Sequence, residues 1–200
     1  MTEIQRVKSD SQQPRFSADG SSFGAAYQWL ALDEIQQVPY SANSMQRDAW
    51  LRTFWKLEPR LAGIVNAVTL IDSNRGWSLI GGRNQVRRYT DILHAAEGGQ
   101  GWRTFSRKSS LSYWATDMGA ITEVGREGKA GPLRAIYHVD SARCRLTGRI
   151  DKPLAYYPLM AGMQEWGPDD FFRVCSLPSD DEQYNGLGYC AVSRALELTR

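Results

Sequence analysis

A chain of 200 residues with 42% hydrophobic residues is long and apolar enough to build a real core, which excludes a wholly disordered protein and allows one large domain or two small ones. The net charge of +2 is too small to mark the whole molecule as a nucleic-acid binder, so any such surface must be local. No stretch of about 18 apolar residues occurs, and the opening MTEIQRVKSDSQQPRF carries no apolar run. Neither a membrane span nor a signal peptide is read, and the expectation is a protein made and kept in a cytoplasm, or released when the cell breaks.

Residues 1–26, rich in Ser, Gln, Asp and Gly, predict a flexible arm, with order beginning near Tyr27 and one domain occupying 27–200. The string SMQRDAWLRTFWKL places Met45, Trp50, Leu51, Phe54 and Trp55 mostly on one helical face, with Ser44 as cap. Pro59 ends that helix or begins the next. The segment 60–72, RLAGIVNAVTLID, is apolar nearly all round and too short to span a bilayer. It predicts a buried helix, with an oligomer interface as the other reading. Turn chemistry at 74–76 leads into 76–82, GWSLIGG, which reads as a short strand closed by two glycines.

A helix is expected from about Asn84, with Val86, Tyr89, Leu93 and Ala96 in period and Gly98 with Gly99 as its stop. GWRTFSRKSSLSYWATDMG predicts another, with Trp102, Phe105, Ser109, Ser112 and Tyr113 at spacings of three and four. After Gly119 the texture changes. AITEVGRE, LRAIYHVD, ARCRLTG, PLAYYPLM and FFRVCS are short, β-branched and aromatic, and predict a small antiparallel β region of hairpins. Helices first, strands second and a helix last give an α+β fold, with the N-terminal helices packed on that β region.

Chemistry-bearing motifs are sparse. Cys144, Cys175 and Cys190 are far apart with no CxxC pair, and read as reduced, buried thiols. The two histidines, His94 and His138, fall on a helix and a strand and read as packed or surface residues. His138 and Asp140 have the spacing of a base and its orienting carboxylate, but no serine or cysteine stands in a nucleophile-elbow pattern to complete a triad. The glycines at 81–82 and at 186 and 188 match neither GxGxxG nor GxxxxGK[ST], so no nucleotide or other cofactor is expected. Asp140, Asp151, Asp169, Asp170, Asp180 and Asp181 are candidates for metal-dependent nuclease work, although turns and helix caps explain them more simply. Arg83, Arg87 and Arg88 cluster near one helix start and Arg103, Arg107 and Lys108 near the next, where phosphate contact or a solvated face are the two readings. No catalytic or metal-binding residue is assigned, and the aromatic richness, with seven Trp and nine Tyr, favours a structural or assembly protein.

The order of motifs carries a resemblance. LAGIVNAVTLID leads into GWSLIGGRNQVRRYTDIL, then GGQGWRTFSRKSSLSYWATDMGAITEVGRE, AIYHVDSARCRLTG, KPLAYY and finally LPSDDEQYNGLGYCAVSRALEL. This succession, over roughly residues 30–200, resembles the N-terminal wing region of bacteriophage and prophage portal proteins. The resemblance implies a non-enzymatic subunit of a ring, usually a dodecamer, through which double-stranded DNA enters and leaves a capsid. It implies as partners further copies of itself, the terminase large subunit, a head–tail adaptor, and capsid and scaffolding proteins. It implies a place at the portal vertex of the virion, with assembly in the host cytoplasm and no membrane. On it, Trp50, Phe54, Trp55 and Trp102 are core or neighbour anchors. Arg83, Arg87, Arg88, Arg103, Arg107 and Lys108 form inter-subunit ion pairs or DNA-facing patches. Stem, clip and crown are not matched, and the closing NGLGYCAVSRALELTR reads as the first turns of a helix with nothing yet to bury its apolar side against, which suggests a chain cut short. The alternative from the residues alone is a small intracellular nucleic-acid-binding or metal-dependent nuclease-type protein.

Overall fold

The computed structural model describes residues 40–128, 131–178 and 186–197, which lie in one compact unit, Pro39–Arg200. The arm expected at 1–26, the onset of order near Tyr27 and the pair Asp180 and Asp181 fall outside the described residues.

The element order bears out the α+β arrangement. Helix α1 (Tyr40–Leu57) buries Leu51, Phe54 and Trp55, which recur at the spacing of one helical face. Ser44 lies inside this helix rather than capping it, because once the hydrogen-bond ladder is nucleated a single serine costs too little to end it. Helix α2 (Pro59–Asn74) opens on a proline, whose fixed φ suits the first turn, while the Glu58 carboxylate accepts the Leu61 N–H.

Only Val65, Thr69 and Ser73 of α2 are buried, so the expectation of a helix buried nearly all round is corrected. Its main packing partner is one helix, α4 (Trp102–Ala115), and one neighbour covers only one side. Asp72 fastens the pair, accepting from Ser110 Oγ at 2.7 Å and Trp114 Nε1 at 3.1 Å.

The strand expected at 76–82 does not form; the segment is irregular, and Ile80 is 99% exposed. A strand needs a neighbour to pair its backbone, and here Trp77 packs by its ring on Trp102 and His94 instead. Helix α3 (Arg83–His94) stops before the glycines expected to end it. A single turn, Ala96–Gly99, follows, in which Glu97 itself adopts a left-handed backbone, φ 57° and ψ 39°. Its side chain there reaches both the His138 N–H and Lys108.

Two three-stranded antiparallel sheets follow. The first, in order β2 (Leu133–Val139), β1 (Ala120–Arg126), β6 (Phe171–Val174), pairs Thr122 with both His138 and Phe172, and Ile121 with Val139 and Arg173. Because side chains alternate, Ile136 and His138 face the helices, where Ile136 joins Ala96 and Phe105. Ile121 and Val139 face the opposite way and form the main core with Met118, Cys144, Leu154, Trp166 and Leu187. That second layer is the other sheet, β3 (Cys144–Leu146), β4 (Leu154–Tyr156) and β5 (Gln164–Trp166). Two corrections apply. The strand read from PLAYYPLM spans only β4, because Leu159 and Met160 turn out into solvent, and the polar β5 carries no apolar alternation to announce it.

Helix α5 (Ala191–Glu197) begins where expected, and of the apolar residues on it whose side chains are described, Val192 is buried while Ala191 and Ala195 are half-buried. Cys190, Val192 and Ser193 are buried, and the segment is drawn in by Asp117. All three cysteines are free, with Cys144 and Cys190 buried and Cys175 half-buried. Among the described residues no helix is long and apolar enough to cross a membrane.

Candidate functional site

The six basic residues singled out in the sequence do not converge. Arg83, Arg87 and Arg88 are exposed on α3, where Arg87 and Arg88 line an open cleft of about 500 Å³ with Glu127 and Arg134. Arg88 Nη2 donates to the Leu133 carbonyl at 3.1 Å, and Arg134 pairs with Glu127 at 2.5 Å. Arg103 and Arg107 are exposed one turn apart on α4, and Lys108 pairs with Glu97 at 2.5 Å. The aromatic residues divide as well. Phe54 and Trp55 are core, whereas Trp50 and Trp102 are half-buried.

Helix α2 presents an uncovered apolar surface. At about 100° per residue, Gly63, Ile64, Ala67, Leu70 and Ile71 fall on one arc, bounded by Arg60 and Asn74 and facing away from the buried line of Val65, Thr69 and Ser73. Ile64 is 61% exposed, Leu70 51% and Ile71 58%, and no charged residue interrupts the arc between its limits.

A second feature is built where the irregular segment 75–82 meets the ends of α3 and α4. Trp77 stands edge-on to Trp102, with ring centroids 6.0 Å apart, and tilted to His94 at 5.7 Å; Trp102 continues into Phe105 at 5.5 Å. Gly101, with φ +88°, makes the bend that starts α4 and brings Trp102 to this place. The resulting groove, about 710 Å³, is lined by Trp77, His94 and Trp102 together with Arg75, Gln100 and Arg103. None of its lining residues is acidic. Strand composition at 76–82 gives no sign that Trp77 lines a groove. The cue available was a lone tryptophan among glycines.

The third feature is a Ser–His contact that no spacing foretold, since its members are 26 residues apart. Ser112 Oγ lies 3.2 Å from His138 Nε2 at a cavity of about 150 Å³ that Arg52, Lys56 and Lys108 also line. Burial pushes the His138 imidazole down to about 4, against the pull of Glu97, so the ring is neutral at physiological pH. Its Nδ1 is buried without a partner among the described residues. Asp140, expected as a possible orienting carboxylate, instead pairs with Arg52 at 2.5 Å and Arg143 at 3.5 Å and caps the turn Ser141–Arg143. A serine and a histidine whose other nitrogen has no carboxylate lack the member that orients a catalytic triad.

Of the aspartates read as possible metal ligands, Asp140, Asp151 and Asp170 are engaged elsewhere. Asp151 pairs with Arg149, and Asp170 accepts the Gly167 N–H. Among the described residues no group of three or more His, Cys, Asp or Glu is placed to hold a metal ion.

No protein-family model matches this chain, and no curated protein matches it significantly.

Proposed function

We propose that this chain is the wing-type part of a phage portal subunit, a structural protein that associates with further copies of itself into a ring around double-stranded DNA. The observation that carries the reading is the two-sided character of α2: one line of residues is buried within the fold, and an uncharged apolar arc centred on Ile64, Ala67 and Ile71 is left open. A helix with a second apolar face calls for a second partner. Head-to-tail ring contacts supply one by giving every subunit two neighbours through different faces. The motif succession and the α+β fold support the same reading. On it the further partners are the packaging motor, a head–tail adaptor, and capsid and scaffolding proteins, and the location is the portal vertex of the virion.

The test is the mass of the purified chain across a concentration series, by light scattering after size exclusion, with negative-stain images of the largest species. Concentration-dependent closed rings are expected, and the double variant Ile64→Glu/Ile71→Glu is expected to remain monomeric with an unchanged far-ultraviolet circular dichroism spectrum. A chain that stays monomeric at every concentration, or a variant that assembles like the parent, refutes the proposal.

A further inference from the structure

We infer that the groove between segment 75–82 and the start of α4 binds single-stranded nucleic acid, with an unpaired base against Trp77 and Trp102 and the adjoining phosphates at Arg75 and Arg103. Three observations lead there. The first is the aromatic wall. Trp77 and Trp102 are both half-buried and both line the groove, so each keeps part of its ring surface open to an occupant while the rest is held by packing. Every base has a π face, so such a wall accepts unpaired bases of any sequence. In a duplex those faces are stacked on their neighbours, which excludes double-stranded DNA from the same contact.

The second is charge. Arg75, His94 and Arg103 are among the lining residues and no carboxylate is. Asp72 lies close enough to Arg75 to feel its charge, but its own carboxylate already accepts from Ser110 and Trp114 on the α4 side. Arg103 makes no ion pair among the described residues and is exposed at the rim. A guanidinium in that position can donate two parallel hydrogen bonds to a phosphate. The third is size and rim chemistry. About 710 Å³ is within the range of small-molecule sites, and Asn74, Ser78 and Gln100 supply side-chain donors and acceptors at its border for a base edge. An apolar peptide would leave these polar groups and both guanidinium groups unmatched. This inference does not rest on the ring reading, and a monomeric chain would leave it intact.

The experiment is fluorescence anisotropy of the whole chain with three labelled probes of equal length: a short oligothymidylate, an abasic strand carrying the same charge, and a duplex. The oligothymidylate is expected to bind most tightly. Trp77→Ala is expected to weaken it roughly tenfold or more, the loss of one stacked base, while the abasic strand is unaffected. Trp77→Phe should keep most of the affinity. Arg103→Gln is expected to weaken both strands and to reduce the slope of log affinity against log salt by about one. Should Trp77→Ala melt below the parent in circular dichroism, the Trp77→Phe and Arg103→Gln pair carries the test. Equal affinity for the abasic strand, preference for duplex, indifference to Trp77→Ala in a folded variant, or no binding by the parent would each overturn the inference.

Discussion

Asp117 and Cys190, 73 positions apart, are joined by a hydrogen bond in which Asp117 Oδ1 accepts the Cys190 backbone N–H at 2.9 Å. The same carboxylate accepts from Arg47 Nε and from Ser193 Oγ through Oδ2, each at 2.8 Å. One buried side chain in the turn before β1 thus ties α1 to the start of α5. A negative charge at a helix start meets its unsatisfied N–H groups, and Arg47 compensates the burial.

Removing that carboxylate deletes the buried Asp117–Arg47 ion pair and the hydrogen bonds that anchor the start of α5. Asp117→Ala is expected to lower stability by about 3–5 kcal/mol, the cost of breaking a buried pair, and Ser193→Ala by about 1 kcal/mol. Urea unfolding midpoints at fixed pH measure both. A loss under about 1 kcal/mol for Asp117→Ala would show that the network holds nothing.

Asp48 sits directly behind this turn, accepting from the Asp117 N–H at 2.7 Å and the Met118 N–H at 3.1 Å. Burial, reinforced by the Asp117 charge, pushes its carboxyl up to about 8. The native state then holds a proton that the unfolded chain releases, so this stabilisation is complete below an unfolded value near 4 and is lost as pH rises through about 8. His138 acts in the opposite sense. With its folded value depressed to about 4, its contribution is complete above about 6.5 and is lost as pH falls toward 4. The two slopes oppose one another below about 6.5, leaving a decline between about 6.5 and 8 that belongs to Asp48. Chemical denaturation at stepped pH should show that decline in the parent and its disappearance in Asp48→Asn.

Gly119 has φ +79°, and a Cβ there would run into the Val174 carbonyl and lie 2.8 Å from Cys175 Cα. Both obstacles are backbone at the end of the neighbouring strand β6, and neither can swing aside. Gly119→Ala is expected to cost more than about 3 kcal/mol, strain and clash together, and to lower the thermal midpoint accordingly. Gly63→Ala, in open space on α2, serves as the control and should be neutral or stabilising by up to about 1 kcal/mol.

The thiols should divide by burial. Cys175 is half-buried, whereas burial raises both the Cys144 and the Cys190 thiol well above the ordinary range. A disulfide reagent at neutral pH is expected to label one thiol promptly, assigned to Cys175 by peptide mapping, and the other two only at the rate of unfolding. Rapid labelling of Cys190 would mean that α5 opens readily.

Much of this was written locally. The helical faces of Leu51, Phe54 and Trp55, the change to strands after Gly119 and the helix start after Gly188 all depend on spacing and turn residues within a few positions of one another. Local patterns failed where a partner had to be known. LAGIVNAVTLID is apolar enough to be buried all round, yet how much of it is covered depends on how many elements pack against it, and α4 covers one side. WSLI has strand composition but no neighbour to pair with, so Trp77 went to Trp102 and His94 instead. The residues now of most interest, Trp77 with Trp102, Ser112 with His138, and Asp117 with Cys190, are contacts across 25, 26 and 73 positions. Side-chain periodicity carries no information over such separations. They exist because two layers stacked on the β1–β2–β6 sheet bring distant chain together, and that stacking is a property of the whole core rather than of any segment.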